Sequence, residues 1–215
     1  MTAYIIIAII AYAIGSINFS VILSRKIAGF DVREKGSGNA GSTNMLRSVG
    51  TKAALLTLIC DILKGVVSIL IAVILGLIFK ESDKALLVQI AGICVIIGHT
   101  FPIFFEFKGG KGVATALGVL LTSNWRLGLI CLVFALVLMV LTRMVSVGSI
   151  GAAILFPVLT LFVNMHLLQC NYIVTEGSGY LIYSIILAAI IIFNHRANIQ
   201  RILSGQENKI SFKKS

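Results

Sequence analysis

The chain has 215 residues, 58% of them hydrophobic and only 12% charged, with a formal net charge of +10 and a mean hydropathy of +1.03. Soluble globular domains carry about twice that share of charge, and apolar runs of membrane-crossing length recur here with no soluble-domain-sized stretch between them. A soluble enzyme is excluded, and cations dispersed among loops do not describe a nucleic-acid-binding face.

The first apolar run, Tyr4 to Leu23, predicts a helix over residues 3–24. It lacks a basic leader and an A-x-A-like cleavage site, so a retained helix is expected. A polar segment then intervenes, "KGSGNAGSTNMLR" from Lys35 to Arg47. Further helices are predicted over 53–79, 85–101, 113–123, 126–142, 147–165 and 179–194. The run 113–123 is too short to cross about 30 Å of hydrocarbon at 1.5 Å per residue, so seven spans are expected with six as the competing count. Asp61 and Lys64 lie three apart inside the second run, where ionisable groups are costly and normally paired. They predict an ion pair that also fixes this helix near the polar segments. Cys60, Cys94, Cys131 and Cys170 show neither disulfide-framework nor metal-ligand spacing.

Lys and Arg concentrate on the cytoplasmic side of membrane proteins. Arg25, Lys26, Arg33, Lys35, Arg47 and Lys52 follow the first run, Lys108 and Lys111 the third, and Arg143 the fifth; Arg196, Arg201, Lys209, Lys213 and Lys214 occupy the tail. Only Lys80, Lys84 and Arg126 fall on the other side, with Lys64 inside a run. The expected fold is an all-α polytopic membrane protein of about seven transmembrane helices, N-terminus outside and C-terminus cytoplasmic. Its polar, Gly-rich loops then lie on the cytoplasmic face, and residues 1–215 form one domain.

Four polar segments share that face. In the first, Gly36, Gly38 and Gly41 permit positive φ and bare amides able to cradle an anion. Ser37, Asn39, Thr43 and Asn44 add neutral donors there, and Arg47 a bidentate one. The second, "GHTFPIFFEFKGGKGVAT" from Gly98 to Thr115, presents His99, Lys108, Gly109, Gly110 and Lys111 ahead of a helix N-terminus, a natural anion site. The third, "TRMVSVGS", places Arg143 at a helix boundary and Ser146 and Ser149 on one face. The fourth begins "NHRANIQR" and sets His195 and Asn198 three apart. Each alone is also compatible with a flexible connector or a basic loop against anionic lipid. Together they have the composition of a site for phosphate-bearing molecules beside lipid.

"GSGNAGSTNMLR", "GHTFPIFFEFKGGKGVAT", "TRMVSVGS" and "NHRANIQRILSGQENKI" resemble, in order and across nearly the whole chain, the motifs of the bacterial acyl-phosphate:glycerol-3-phosphate acyltransferases, the PlsY family. The resemblance implies a seven-helix enzyme of the bacterial inner (plasma) membrane with a cytoplasm-facing active site; no cofactor is expected, and no carboxylate cluster suggests a metal. Its expected substrates are acyl phosphate and glycerol 3-phosphate, and its expected products 1-acylglycerol 3-phosphate (lysophosphatidic acid) and phosphate, the first step of phospholipid synthesis. It is expected to act as a monomer in contact with membrane lipids. Family motif positions fall on Ser37, Asn39, Thr43, Asn44 and Arg47; on His99, Lys108, Lys111 and Thr115; and on Arg143, Ser146, Ser149, His195 and Asn198. Lys111, Arg47, Ser146, His195 and Asn198 are the expected catalytic set, and the other motif residues, with Gly38, Gly41, Gly109 and Gly110, the phosphate-binding set.

The H-x-x-x-x-D dyad of other glycerolipid acyltransferases is absent, since Phe104, Asn171 and Gln200 stand five residues after His99, His166 and His195. The expected chemistry is therefore positioning and charge stabilisation of an already activated mixed anhydride. The proton acceptor is a substrate phosphate oxygen, with His195 and His99 as alternatives. Lys108, Lys111 and the first-loop donors are assigned to the donor phosphate and Arg47, Ser146, His195 and Asn198 to the acceptor, an assignment that can be exchanged. A transporter or channel for a phosphate compound is the competing reading, but it predicts internal repeats and polar sites at mid-membrane. The polar segments here cluster on one face instead.

Overall fold

The computed structural model describes residues 1–81, 83–162 and 179–210, and all regular structure among them is helical. In place of one helix over 3–24, the chain forms α1 (Thr2–Gly15) and α2 (Phe19–Ala28). Asn18 causes the restart: its side-chain oxygen caps α2 by accepting from the Val21 amide at 3.2 Å. At the break, the carbonyls of Gly15 and Ile17 accept from Lys64 Nζ at 3.1 and 3.2 Å. Lys64 is paired with Asp61 at 2.9 Å, both side chains buried, as the sequence predicts.

The first polar segment is not all loop, because its second half folds as α3 (Ser42–Ser48). There follow α4 (Thr51–Ile78), α5 (Lys84–Thr100), a 3₁₀ turn (Ile103–Phe105), α6 (Val113–Ser123), α7 (Trp125–Thr142), α8 (Val145–Thr160), α9 (Gly179–Asn194) and α10 (Arg196–Leu203). The expected run 147–165 ends in residues outside those described. By length and composition, four described segments can cross a membrane: Thr2–Ala28, α4, Lys84–Phe105 and α7. A fifth is possible if α9 and α10, bent by 61°, form one span, while α6 and α8 are shorter apolar helices.

Amphipathicity is inverted relative to a soluble protein. On α4, Ile59, Leu63, Val67, Leu70 and Ile74 are exposed, whereas Thr57, Asp61, Lys64, Gly65 and Ser68 are buried. Lipid supplies no hydrophobic drive between helices, so close backbone approach takes its place. A Cβ on Gly65 would lie 2.4 Å from the Thr115 carbonyl oxygen, and one on Gly118 2.1 Å from that of Ile62, which locks α4 to α6. Gly15 and Gly98 play the same part where α1 meets α5. α7 packs on α8, and α8 on α9. The C-terminal ends of α5, α7 and α9 and the N-terminal ends of α4, α6 and α8 then meet at one end, where the polar segments lie.

Candidate active site

The second polar segment is pinned to the end of α5. The Gly109 amide donates to the Thr100 carbonyl at 3.1 Å, and the Gly110 amide to that of His99 at 3.1 Å. A Cβ on Gly110 would sit 2.2 Å from His99 Nε2 and 2.7 Å from the Ala40 carbonyl oxygen, so only glycine lets the first and second segments meet here. From α9, Asn194 Nδ2 donates to Thr100 Oγ1 at 3.1 Å and to the Lys111 carbonyl at 3.4 Å.

The first segment is organised from within. Asn44 Oδ1 accepts from the Ser37 amide at 2.9 Å, and Asn44 Nδ2 donates to the Val32 and Lys35 carbonyls at 2.9 and 3.0 Å. The Gly38 and Gly41 amides donate to the Lys35 and Asn39 carbonyls. Arg33 grips Asp31 and donates to the Phe105 carbonyl at 2.9 Å, which ties the two segments together. Burial raises the Asp31 carboxyl, but bonds and charge from Arg33 and Arg25 overcome it and hold the group at about 2.

These contacts correct the expected anion cradle. The amides of Gly38, Gly41, Gly109 and Gly110 are engaged within the protein, as is the Asn44 side chain. Ser37 and Gly38 are exposed, and Asn39 and Thr43 partly so. Lys108 is exposed, 3.6 Å from Glu106. Arg143 is an exposed C-cap of α7 with φ of +60° whose carbonyl accepts from the Ile210 amide at 2.7 Å. Thr115 is buried where α6 meets α4, and Ser149 donates to the Val145 carbonyl at 3.0 Å. His99 is buried with Nδ1 3.5 Å from Asp61, away from the cluster that holds Lys111.

That cluster joins the second, third and fourth segments. Lys111 Nζ donates to Asn198 Oδ1. Asn198 Nδ2 and Ser146 Oγ both donate to Glu207 Oε1, at 2.7 and 2.9 Å, and Arg201 Nε donates to Glu207 Oε2 at 2.9 Å. Glu207 and Arg201 were not among the expected site residues, although Glu207 is the only acid after residue 178. Burial raises the Glu207 carboxyl, yet donation from Asn198, Ser146 and Arg201 and the Arg201 charge hold it below its ordinary range. Burial, assisted by the Arg201 and Arg47 charges and opposed by Glu207, draws the Lys111 ammonium down to about 8. Lys111 therefore stands in the positive field of Arg201 and of the exposed Arg47, opposed by the Glu207 carboxylate.

His195 stands at the α9–α10 bend, with Nδ1 2.7 Å from the Ile191 carbonyl oxygen. That carbonyl only accepts, so Nδ1 carries the proton and Nε2 of the neutral ring is an acceptor. Burial lowers His195 to about 4, against the pull of the Ile191 bond. Beside this cluster an apolar cavity opens between α6, α7, α8 and α9. Val113, Ala116, Cys131, Ser149, Phe156, Ala153 and Ile191 are among its lining residues. Val113 is two residues from Lys111, and Ile191 holds His195, so the cavity begins where the polar cluster ends.

The profile of the glycerol-3-phosphate acyltransferase family matches residues 5–205. A glycerol-3-phosphate acyltransferase of Clostridioides difficile (strain 630) is 41% identical over 212 residues, 99% of this chain and 98% of that protein. One of Thermoanaerobacter pseudethanolicus is 43% identical over 209 residues, covering 97% and 96%. Among solved structures, PlsY (YgiH), an integral membrane glycerol 3-phosphate acyltransferase in its glycerol 3-phosphate form, superposes with a TM-score of 0.83 at 35% identity, covering 97% of this chain and 96% of that one. Its lysophosphatidic acid form gives a TM-score of 0.80 at 33% identity. The four motifs, the helical membrane fold and these relatives agree: the chain belongs to the glycerol-3-phosphate acyltransferase family.

Proposed function

We propose that this protein transfers a fatty acyl group from acyl phosphate to the 1-hydroxyl of sn-glycerol 3-phosphate, releasing lysophosphatidic acid and phosphate as the first step of phospholipid synthesis. The observation that carries this reading is the position of Lys111. Its ammonium stands in the field of the Arg201 and Arg47 charges, and Val113, two residues on, lines the apolar cavity, so phosphate and acyl chain find their complements close together. The two solved relatives are described in glycerol 3-phosphate and lysophosphatidic acid forms, which fit an acceptor and a product.

The acceptor hydroxyl oxygen attacks the acyl carbonyl carbon, the carbonyl–phosphate C–O bond breaks, and phosphate leaves with the electron pair. Lys111, Arg47 and Arg201 stabilise the negative charge that accumulates. Ser146 and Asn198, fixed by Glu207, keep Lys111 in register. A proton acceptor is needed, and His195 at about 4 is a weak one. A substrate phosphate, with a second pKa near about 6, takes the proton of the attacking hydroxyl, while His195 Nε2 accepts from the neighbouring 2-hydroxyl and so orients the glycerol. Ser37, Asn39, Thr43 and Lys108 surround the phosphates from the first two segments. The acyl chain enters the cavity between α6 and α9.

The excess of Lys and Arg on one side supports a cytoplasm-facing site in the bacterial inner membrane, N-terminus outside, with α6 and α8 completing seven spans. A monomer is the expected working unit. Purified protein in detergent, given acyl phosphate, acyl-CoA or acyl carrier protein with glycerol 3-phosphate, tests the reading. Phosphate and lysophosphatidic acid are expected from acyl phosphate alone, and from Lys111→Ala at a rate reduced at least about 100-fold. No phosphate release, or a Lys111→Ala variant equal to wild type, rejects it.

A further inference from the structure

The mechanism leaves one buried polar cluster unused. Lys64 Nζ binds the Gly15 and Ile17 carbonyls and Asp61 Oδ1, and the same carboxylate oxygen lies 3.5 Å from His99 Nδ1. Inside a membrane protein such groups are expensive unless they serve one another. Lys64 satisfies the carbonyls at the α1–α2 break, and Asp61 compensates Lys64; neither need accounts for His99. The far side of the imidazole supplies that account. Its Nε2 packs against Gly110 with no room for a Cβ, and its carbonyl accepts from the Gly110 amide at 3.1 Å. Gly110 precedes Lys111.

We propose that Asp61, Lys64 and His99 are positioning residues, a buried polar strut that braces the Gly109–Lys111 backbone against the break in the first span and so sets where the Lys111 ammonium stands. The strut links α1, α4 and α5 to the second segment, while Asn194 holds the other side of the same backbone. The kinetic part of this inference rests on the acyl-transfer reading above; the structural part does not. Lys111 Nζ bonds to Asn198 and not to His99, whose role is mechanical. Misplacement of a reacting group by about 1 Å costs as much as about 100-fold in rate, so a loosened brace is read as a loss of kcat.

The test compares Asp61→Asn, His99→Ala and His99→Asn with wild type in detergent, by kinetics and by amide hydrogen exchange. His99→Ala and Asp61→Asn are expected to lower kcat about ten- to 100-fold with less than about threefold change in KM for glycerol 3-phosphate. Exchange should rise at Gly109 to Gly112 while α7 to α9 stay protected. His99→Asn, whose amide nitrogen takes the place of Nδ1 but which lacks the ring's contact with Gly110, should recover part of the rate. The Asp61→Asn/His99→Ala double variant should be no worse than Asp61→Asn alone, since Asp61→Asn already cuts the linkage to His99 and in addition leaves Lys64 without its counter-charge. Unchanged kcat and exchange in both single variants overturn the proposal. Exchange raised uniformly across the helices, with activity lost in proportion to folded protein, also overturns it. If wild type transfers nothing from acyl phosphate, the function reading fails, and the exchange pattern still decides the brace.

Discussion

Lys111 shows how the site tunes a single charge. Burial, the Arg201 charge and the Arg47 charge lower its affinity for a proton, and Glu207 partly restores it, leaving the group at about 8. The ammonium form binds phosphate, so kcat/KM is expected to fall as pH rises through about 8. Bound phosphate favours the charged form, so the same limb in kcat should lie at higher pH. Lys111→Arg, charged throughout, should remove the limb from a pH–rate profile. Glu207 is the counterpart. Glu207→Gln keeps the shape but removes the charge facing Arg201, and Lys111 then meets two cations without compensation. An alkaline limb shifted below that of wild type, with a lower thermal midpoint, is expected. The Glu207 contribution to stability has a defined sign: its folded pKa is depressed, so the contribution is complete above its unfolded value and is lost as pH falls through the folded one. A wild-type melting series showing no weakening on the acid side contradicts this.

At the scale of elements, glycine sets helix spacing in a chain where lipid and side chains are equally apolar. Gly65 and Gly118 bring α4 and α6 into backbone contact, and α6 begins two residues after Lys111. Gly65→Ala places a methyl 2.4 Å from the Thr115 carbonyl oxygen. Backbone cannot swing aside as a side chain does, so overpacking of about 1–3 kcal/mol is expected, beyond the gain of about 0.5–1 kcal/mol from replacing glycine within a helix. A thermal melt in detergent reads the balance. The break between α1 and α2 follows similar logic. A helix over 3–24 is the natural reading of an unbroken apolar run, and Asn18 alone does not overturn it. The break is stable because Lys64, more than forty residues away, supplies donors to the carbonyls it exposes. A local pattern cannot report a distant donor.

For the whole molecule, the cavity between α6, α7, α8 and α9 is the expected seat of the acyl chain. Ala153→Phe fills it, and kcat/KM should drop about tenfold or more for long-chain donors while short-chain donors are spared, read by a chain-length series. Equal losses at all lengths remove the chain from this cavity. Single cysteines replacing Lys35 and Lys209, in a background without the native cysteines, should both resist an impermeant thiol reagent added outside intact cells and react after permeabilisation.

Hydropathy and charge are properties of short stretches, so the helical segments, the motif-bearing loops and the pairing of Asp61 with Lys64 were legible in the sequence. Spacing three apart on a helix is itself a contact. Lys111, Ser146, His195 and Asn198 were recognised by residue type and motif, not by where they meet. Ser146 and Glu207 are 61 positions apart, and no periodicity joins them; Arg201 entered the sequence reading only as a tail cation, and Glu207 only as a letter of the fourth motif. The glycine amides looked open because composition cannot say which carbonyl a turn will meet, and the ends of α5 and the first loop met them. His99, which the missing H-x-x-x-x-D dyad left without an acid, faces Asp61 because α4 and α5 pack side by side. The sequence by itself determined that this is a helical membrane protein with a basic, hydroxyl-rich face. Only the tertiary structure decided which groups remain free for a phosphate, because an unpaired donor is defined by what every other segment has already bound.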